Sequence, residues 1–540
     1  MMSTTAERFT ILCAFLKNNP KRYAIFVGAG ASKSSGLPGG EELKNLVYNE
    51  YMTLLRDLQI GEMSCEMLLD KLRLACGNSA VSDLLKKYLD AEVMVPPGYE
   101  RLVKLVKFQN LSTIVTVNFD ELIEDSFQRA RTKLRMVTTE DDMISLDRVK
   151  EKPTIVKLHG TISKPRTILA TIQDVQKLAE WKKEILKFIV QNLGIIFVGY
   201  SARDPDILDV IRAKSFVKRR ESYNIYWVGP SLSSNAESIL KEYDCSNNFF
   251  RLHSDSFFEL MDKGIKLSNP IKIGVLDGRH LPEGEHVCQP SCSTYQPEAW
   301  VQYFEDEERS EKYEICPISA SEISDRYVAI INPFGEAYPE LHREELITFK
   351  SIKEYIKSGG IFVNVGGLAF FYWDRPHRDN VCVERIISYP RRLRIEGDQV
   401  FFDLETYVGS LVDNLLSRYF GLRCTLGAPL LSTSYQERED IDLVGNIVEL
   451  GGSPQITEFR AVSKNSSTGH VLPLLRSRRN NEEVYPIAAI PVEAGTLIHA
   501  GMNVQSDREF LKVAGALDHF IDRERRLLFE ELQNLGPTSA

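Results

Sequence analysis

Tyr23-Ala24-Ile25-Phe26-Val27-Gly28-Ala29-Gly30-Ala31-Ser32 is the stretch on which the fold turns: an apolar run that ends in glycines and a serine. Three more stretches have the same form. Thr113–Val117 leads into Asn118-Phe119-Asp120, Thr154–Leu158 into His159-Gly160, and Ile195–Val198 into Gly199-Tyr200-Ser201-Ala202-Arg203-Asp204-Pro205-Asp206. Short continuous apolar runs read as strands buried on both faces, the habit of parallel sheets. Helix-patterned segments separate them, so one parallel α/β sheet is expected. Ligands of such sheets sit outside the carboxyl ends of the strands. Here those ends carry a glycine turn suited to a phosphate, an Asn, an Asp and a His, parts for holding a dinucleotide and breaking a bond in it.

Working outward, a helix over 7–19 feeds the first strand. A mostly helical insertion fills Glu41 to about Phe108, punctuated by Pro96-Pro97-Gly98. A helix over Gln173–Asn192 precedes the strand at 195–198, and Asn224–Val228 makes a fifth strand. At 540 residues the chain exceeds one ordinary core, and a boundary is expected near 262–271, giving domains 1–268 and 269–540. In the second, Lys272–Leu276, Tyr327–Asn332 and Ile361–Val365 are strand-like, with helices at Pro297–Glu307 and Phe349–Lys357. Residues 380–480 are less regular, and Ser463–Gly469 reads as an exposed loop. Ile487–Ile490 and Leu497–Ala500 return to strand character, and Asp507–Leu535 is a long amphipathic helix. Its Phe510, Leu511, Ala514, Leu517 and Ile521 recur at helical spacing, for packing on its own domain or on a neighbouring subunit.

A net charge of −9 gives no general pull toward nucleic acid or anionic lipid. The basic clusters Lys218-Arg219-Arg220, Arg391-Arg392 and Arg476–Arg479 then read as solvated faces. No apolar run reaches membrane-spanning length, and Met1–Asn19 resembles an amphipathic helix more than a secretory signal. Nine scattered cysteines, with Cys288 and Cys292 the nearest pair, point to free thiols, a reducing cytoplasmic setting and no structural zinc.

The chemistry rests on few residues. Glycines at 28 and 30 permit backbone conformations and close approaches closed to other residues, and Ser32 adds a hydroxyl. An isolated Gly-x-Gly is equally a tight turn with no ligand. Asn118 and Asp120 are also turn formers, and a lone His at a strand end is most often an ordinary hydrogen-bonding residue. Their joint placement at parallel strand ends favours function.

Gly28–Ser32 with Ser35-Gly36-Leu37-Pro38 resembles the opening motif of the sirtuin fold, Asn118-Phe119-Asp120 its Asn-x-Asp segment, and His159-Gly160 its catalytic His-Gly. The pieces stand in family order across roughly residues 20–230. Gly199-Tyr200-Ser201 with Asp204-Pro205-Asp206 is similar to the variant in sirtuin-like bacterial NAD hydrolases, including effectors of antiphage defence such as the Thoeris system. Two departures matter. Gly39-Gly40-Glu41 replaces the Asp-Phe-Arg of deacetylases, and no paired cysteines exist for their zinc module. The resemblance therefore implies a Rossmann-type sheet and a regulated enzyme that cleaves NAD+, as substrate, to ADP-ribose and nicotinamide without a metal.

In that chemistry the ribose gains oxocarbenium character as nicotinamide leaves. Asn118 is expected to orient the ribose or a water, and His159 to accept a proton. Asp120 is expected to bind the carboxamide or steady the cation. Gly28, Ala29, Gly30, Ser32, Gly199, Ser201 and Asp204 complete the nucleotide pocket. Asp204-Pro205-Asp206 equally suits the cap of a helix beginning near Ile207, a reading favoured for Asp206. The alternatives are a deacylase or ADP-ribosyltransferase, and a sensor that binds NAD or ADP-ribose without turnover.

The second half resembles a flavodoxin-like or class I glutamine-amidotransferase-like domain. Its elbow reads Asn364-Val365-Gly366-Gly367-Leu368, without the nucleophile, and Cys382 lies outside the expected position. A regulatory or assembly role is expected, in a homo-oligomer that answers a small molecule, a phage-derived signal or a partner protein; a short Argonaute is one such partner. An inert oligomerisation module is the other reading.

Overall fold

The computed structural model describes residues 4–534 except 52–62, 90–92, 143–151, 172–177, 214–223, 279–284, 287–295, 308, 336, 343–344, most of 368–468 outside short strands, 480–481, 502–503 and 505. Cys288, Cys292, Lys218-Arg219-Arg220, Arg391-Arg392 and Leu368 lie outside the described residues, as do the side chains of Cys382 and Arg476–Arg479. The chain divides into two compact units, Met1–Ser268 with Leu527–Ala540, and Asn269–Arg526.

The first unit is built on seven strands: β1 (Tyr23–Val27), β2 (Thr113–Thr116), β3 (Arg135–Val137), β4 (Thr154–Lys157), β5 (Gly194–Val198), β6 (Ile225–Val228) and β7 (Phe249–Phe250). They pair in the order β3-β4-β2-β1-β5-β6-β7, every pair parallel. Every residue of β1, β2, β4, β5 and β6 is buried, because helices cover both faces. From β1 the chain runs first toward β2 and β4, and later crosses to β5 on the other side. The order therefore reverses between β1 and β5, the switch point at which open parallel α/β sheets bind their ligands. Phe26, Phe197, Tyr200 and Trp227 pack at the centre of the core, Phe197 stacking on Trp227 at 4.1 Å between ring centroids.

Helices α1 (Thr5–Asn18), α2 (Gly40–Glu50), α3 (Cys65–Cys76), α4 (Asn78–Leu89) and α5 (Pro97–Lys107) precede β2. The insertion is thus several short helices. Pro97 starts α5, where its missing N–H costs nothing. Ser64 caps α3 by accepting from Met67 N at 3.2 Å. Leu43, Val47, Leu68, Leu72 and Leu85 make the insertion's own core, each Leu contributing roughly 1.5–3 kcal/mol on burial. Helices α6 (Leu122–Arg129), α7 (Glu180–Asn192), α8 (Pro205–Arg212), α9 (Ser234–Glu242) and α10 (Ser254–Leu267) follow the later strands.

The second unit has its own α/β sheet. Its parallel strands β8 (Ile271–Leu276), β9 (Tyr313–Ile318), β10 (Ala329–Asn332), β11 (Ile361–Val365) and β14 (Gly495–Ala500) pair in the order β9-β8-β10-β11-β14. An antiparallel pair, β12 (Gly469–Arg479) and β13 (Glu482–Val492), extends it. Helix α11 (Pro297–Phe304) follows β8, and α12 (Ile347–Lys357) joins β10 to β11. Strands β9 and β12 were not anticipated, because each carries a proline, Pro317 and Pro473. In α13 (Asp507–Asn534) Phe510, Ala514, Leu517 and Ile521 are buried, Phe510 against Trp300, but Leu511 is 53% exposed. Leu511 is one residue past Phe510 and so about 100° round the helix. No described helix is long and apolar enough to cross a membrane.

Candidate active site

Gly28 ends β1 and turns directly onto the loop after β5. Gly28 N donates to Val198 O at 2.9 Å and Gly30 N to Gly199 O at 3.0 Å. A methyl group on Gly28 would sit 2.6 Å from Gly199 O, and one on Gly199, whose φ is +64°, 2.4 Å from Ala31 N. Backbone packed on backbone thus requires glycine at positions 28 and 199. Ala29 and Gly30 remain exposed.

Ser32 is the hub of the next layer. Its Oγ donates to Asp120 Oδ2 at 3.0 Å and accepts from Asn118 Nδ2 at 3.1 Å. A hydroxyl has one hydrogen, so Tyr99, 2.8 Å away on α5, donates its own. Asn118 Nδ2 also donates to Gly28 O at 3.3 Å. Thr116 ties the layer to the sheet: its Oγ1 donates to Val27 O at 2.9 Å and accepts from Asn118 N at 3.0 Å. Both amide hydrogens of Asn118 are therefore used, while its buried Oδ1 has no partner. Asp120 Oδ1 accepts from Leu122 N at 3.2 Å and starts α6. Burial raises the Asp120 carboxyl above its ordinary value, with Lys157 pulling the other way. Lys157 is wholly buried, donating to Asp120 O and pairing with Glu124 at 3.0 Å.

The histidine loop is closed on itself and on the loop after β2. Gly160 has φ +87°, and a methyl there would lie 2.1 Å from Thr167 O. Leu169 N donates to His159 O at 2.8 Å, and Ile162 N to Phe119 O at 3.1 Å. Thr161 Oγ1 donates to Glu121 Oε1 at 2.7 Å. His159 is 6% exposed, and its Nε2 has no hydrogen-bond partner. Burial lowers it to about 4; Asp206 and Glu66 pull it up and Lys182 pushes it further down. The imidazole is thus neutral at pH 7 and a weaker base than an ordinary histidine. Lys182, on α7, donates to Leu158 O at 2.6 Å, and burial lowers it to about 8.

Asp204 lies 3.7 Å from His159 Nε2, and burial raises its carboxyl to about 6. It occupies the cap position of α8, which begins at Pro205, yet makes no side-chain cap bond. Helix capping does not explain Asp204, while Asp206, 7% exposed, stands in the first turn of α8, where the backbone N–H groups of Asp206 and Ile207 draw its carboxyl down against the larger upward push of burial. Ser201 is exposed, its carbonyl accepting from Ser233 Oγ at 2.8 Å.

Two strands stand between β4 and β5, a lateral gap of about 14 Å between β4 and β5 at ~4.8 Å per strand. His159 and Asp204 meet across it, and so reach over the ends of β2 and β1, where Asn118 and Gly28 are bonded together. The four loops share one region. Tyr99, Lys182 and Glu66 escaped sequence reading because each reaches it from a helix with no motif. Among the described residues, no group of three or more His, Cys, Asp or Glu side chains could hold a metal ion.

No curated protein matches the chain in sequence. Among solved structures, a Sir2 homologue mutant with ADP-ribose is 14% identical, covering 47% of this chain and 95% of its own with a TM-score of 0.31. A Sir2 homologue–NAD complex is 14% identical, covering 47% and 93%, with a TM-score of 0.30. The model of the SIR2-like domain matches residues 112–247, so the stretch holding Asn118, Asp120, His159, Ser201 and Asp204 is SIR2-like.

Proposed function

We propose that residues 1–268 form a cytoplasmic NAD+ glycohydrolase that releases nicotinamide and ADP-ribose. The observation that carries this reading is a set of buried hydrogen-bonding atoms without partners: Asn118 Oδ1, His159 Nε2 and both oxygens of Asp206. They lie on the loops after β2 and β4 and in the first turn of α8, and native proteins leave few such atoms unsatisfied. Asn118 Oδ1 can only accept, so it suits a ribose hydroxyl or the attacking water. Its two donors fix it to Gly28 and Ser32, which sets the acceptor in place before substrate arrives. His159, neutral at pH 7, offers Nε2 to the proton of the water or ribose hydroxyl. Asp120 acts through Ser32, and the exposed Ala29–Gly30 turn faces the phosphates.

The Sir2 neighbours crystallised with NAD and ADP-ribose suggest the substrate. The absent paired cysteines favour hydrolysis over deacylation. Residues 269–540 are proposed to hold the enzyme silent until a signal arrives, in an antiphage response that stops growth by depleting NAD+. The test is product analysis. Incubation of the full-length protein with NAD+ labelled in the adenosine, with and without lysate from infected cells, should yield free nicotinamide and free ADP-ribose. Label retained on protein would mean transfer, and NAD+ bound but unchanged under every condition would mean a sensor.

A further inference from the structure

The second unit carries its own row of buried polar side chains. Ile330 on β10, Phe362 on β11 and Leu497 on β14 belong to one core with Phe349 and Ile352 of α12. Side chains two apart on a strand share a face, so Asn332, Asn364 and His499 continue the same three rows. Asn332 pairs in register with Asn364, and Asn364 with His499, and all three are 0% exposed. An apolar face thus turns polar at the carboxyl ends of three neighbouring parallel strands. The strand order also reverses there, since β9 lies on one side of β8 and β10 on the other. Open parallel α/β sheets bind ligands outside such strand ends.

Hydrogen bonding fixes which atoms are left over. Asn332 Nδ2 donates to Ala337 O and to Asn364 Oδ1, each at 2.8 Å, with Gly335 O at 3.5 Å. A backbone carbonyl only accepts, so the orientation of the Asn332 amide is settled, and that of Asn364 with it. Asn332 Oδ1, an acceptor, and Asn364 Nδ2, a donor, are buried and have no partner among the described residues. The two amides are directly bonded, and each spans ~2.3 Å from nitrogen to oxygen, so the leftover atoms stand within about 7 Å of each other. Stapling the loop after β10 uses only the other half of each amide. Glu340, also 0% exposed, shows the contrast. Its carboxylate accepts from His342 N at 3.2 Å, Thr348 N at 2.8 Å and Phe349 N at 3.1 Å, and is fully accounted for by the start of α12.

Independently of the hydrolase reading, we propose that the carboxyl ends of β10 and β11 form a second ligand site, for a neutral group that carries an N–H donor beside an acceptor. A primary carboxamide and the edge of a nucleobase share that chemistry. The ligand's N–H meets Asn332 Oδ1, and its acceptor meets Asn364 Nδ2. A carboxylate would set an oxygen against Asn332 Oδ1, and an ammonium would set hydrogens against Asn364 Nδ2, so the pair selects a neutral group. Both atoms are shielded from solvent, so the ligand sits enclosed between the loops after β10 and β11 and enters as they part. Gly366 and Gly367, with φ of +87° and +69°, turn the second of these loops sharply, and Gly366 N is tied to Ala500 O at 2.8 Å.

The test is calorimetric titration of the full-length protein with adenosine, uridine and propionamide, each at millimolar concentration. Uridine methylated at N3, which keeps the ring but lacks the N–H, is the control. At least one of the three should bind with one site per chain, and methylated uridine should not. The nucleosides and the amide separate the two sources of the ligand group. Asn364→Leu keeps the side-chain volume but removes the donor, and should weaken binding roughly tenfold or more with circular dichroism unchanged. Asn364→Ser, which draws the donor out of reach, takes its place if leucine unfolds the unit. No heat from any of the three probes would overturn the proposal and leave the two atoms to a buried water. Equal binding by the wild type and the folded variant would overturn it too, since the probe would then sit elsewhere.

Discussion

His159 Nε2 and Asp204 Oδ1 approach to 3.7 Å although the strands that carry them, β4 and β5, are separated by β2 and β1. The contact pulls the loops after β4 and β5 together over the ends of the two central strands. It also places an imidazole and a carboxyl in a setting dry enough to disfavour the charged form of each.

Asp204 should cost the fold stability at neutral pH. Its carboxyl rises from 3.8 to about 6, so the native state binds more protons than the unfolded chain between those values. The cost is absent below 3.8 and complete above 6. Asp204→Asn should therefore stabilise the protein at pH 7 by about 3 kcal/mol and give no gain near pH 3.8. Urea unfolding at a series of pH values checks this; an equal gain at both ends would contradict it.

His159 works in the opposite sense. Its fall from 6.5 to about 4 means the unfolded chain binds the extra proton in that window. The stability gained by keeping the ring neutral is complete above 6.5 and is lost as pH falls toward 4. His159→Gln should flatten the acid-side loss by about 3 kcal/mol. Melting temperatures measured across that window would show the change in slope.

Gly199 and Gly160 tolerate no side chain. Both have positive φ, and a methyl would press on Ala31 N at 2.4 Å or Thr167 O at 2.1 Å. Gly199→Ala and Gly160→Ala should each destabilise the first unit by about 2–4 kcal/mol. Gly36→Ala meets nothing within 4 Å and should carry only the strain of its φ of +89°. Comparing the three by thermal melting separates steric clash from backbone strain.

Tyr99→Phe removes the donor to Ser32 but keeps the ring. The loss should be about 1–2 kcal/mol, since Ser32 retains Asp120 and Asn118. Ser32→Ala removes the hub and should cost more, because it leaves a buried carboxylate oxygen of Asp120 and the Tyr99 hydroxyl without their partner.

The strands at 23–27, 113–117, 154–158 and 195–198 were legible because burial on both faces writes itself as continuous apolar runs. The loops that follow were legible because Gly, Asn, Asp and His interrupt those runs abruptly. What stayed hidden is the cross-sheet wiring. Tyr99, Lys182 and Glu66 reach the site from helices whose sequence records only amphipathicity. The glycines read as room for a ligand, and the close backbone packing of Gly28 on Gly199 shows only in three dimensions. Asp206 reads as part of a helix start, and it does stand in the first turn of α8; its burial shows only in three dimensions.

The central claim is that Asn118 Oδ1 and His159 Nε2 face one glycosidic bond. The direct measurement is nicotinamide release from NAD+ by the activated full-length protein, set beside Asn118→Ala and His159→Ala with unchanged circular dichroism. Release by the wild type and a loss of roughly a hundredfold or more in each variant is the predicted result. Near wild-type turnover in either folded variant would contradict it.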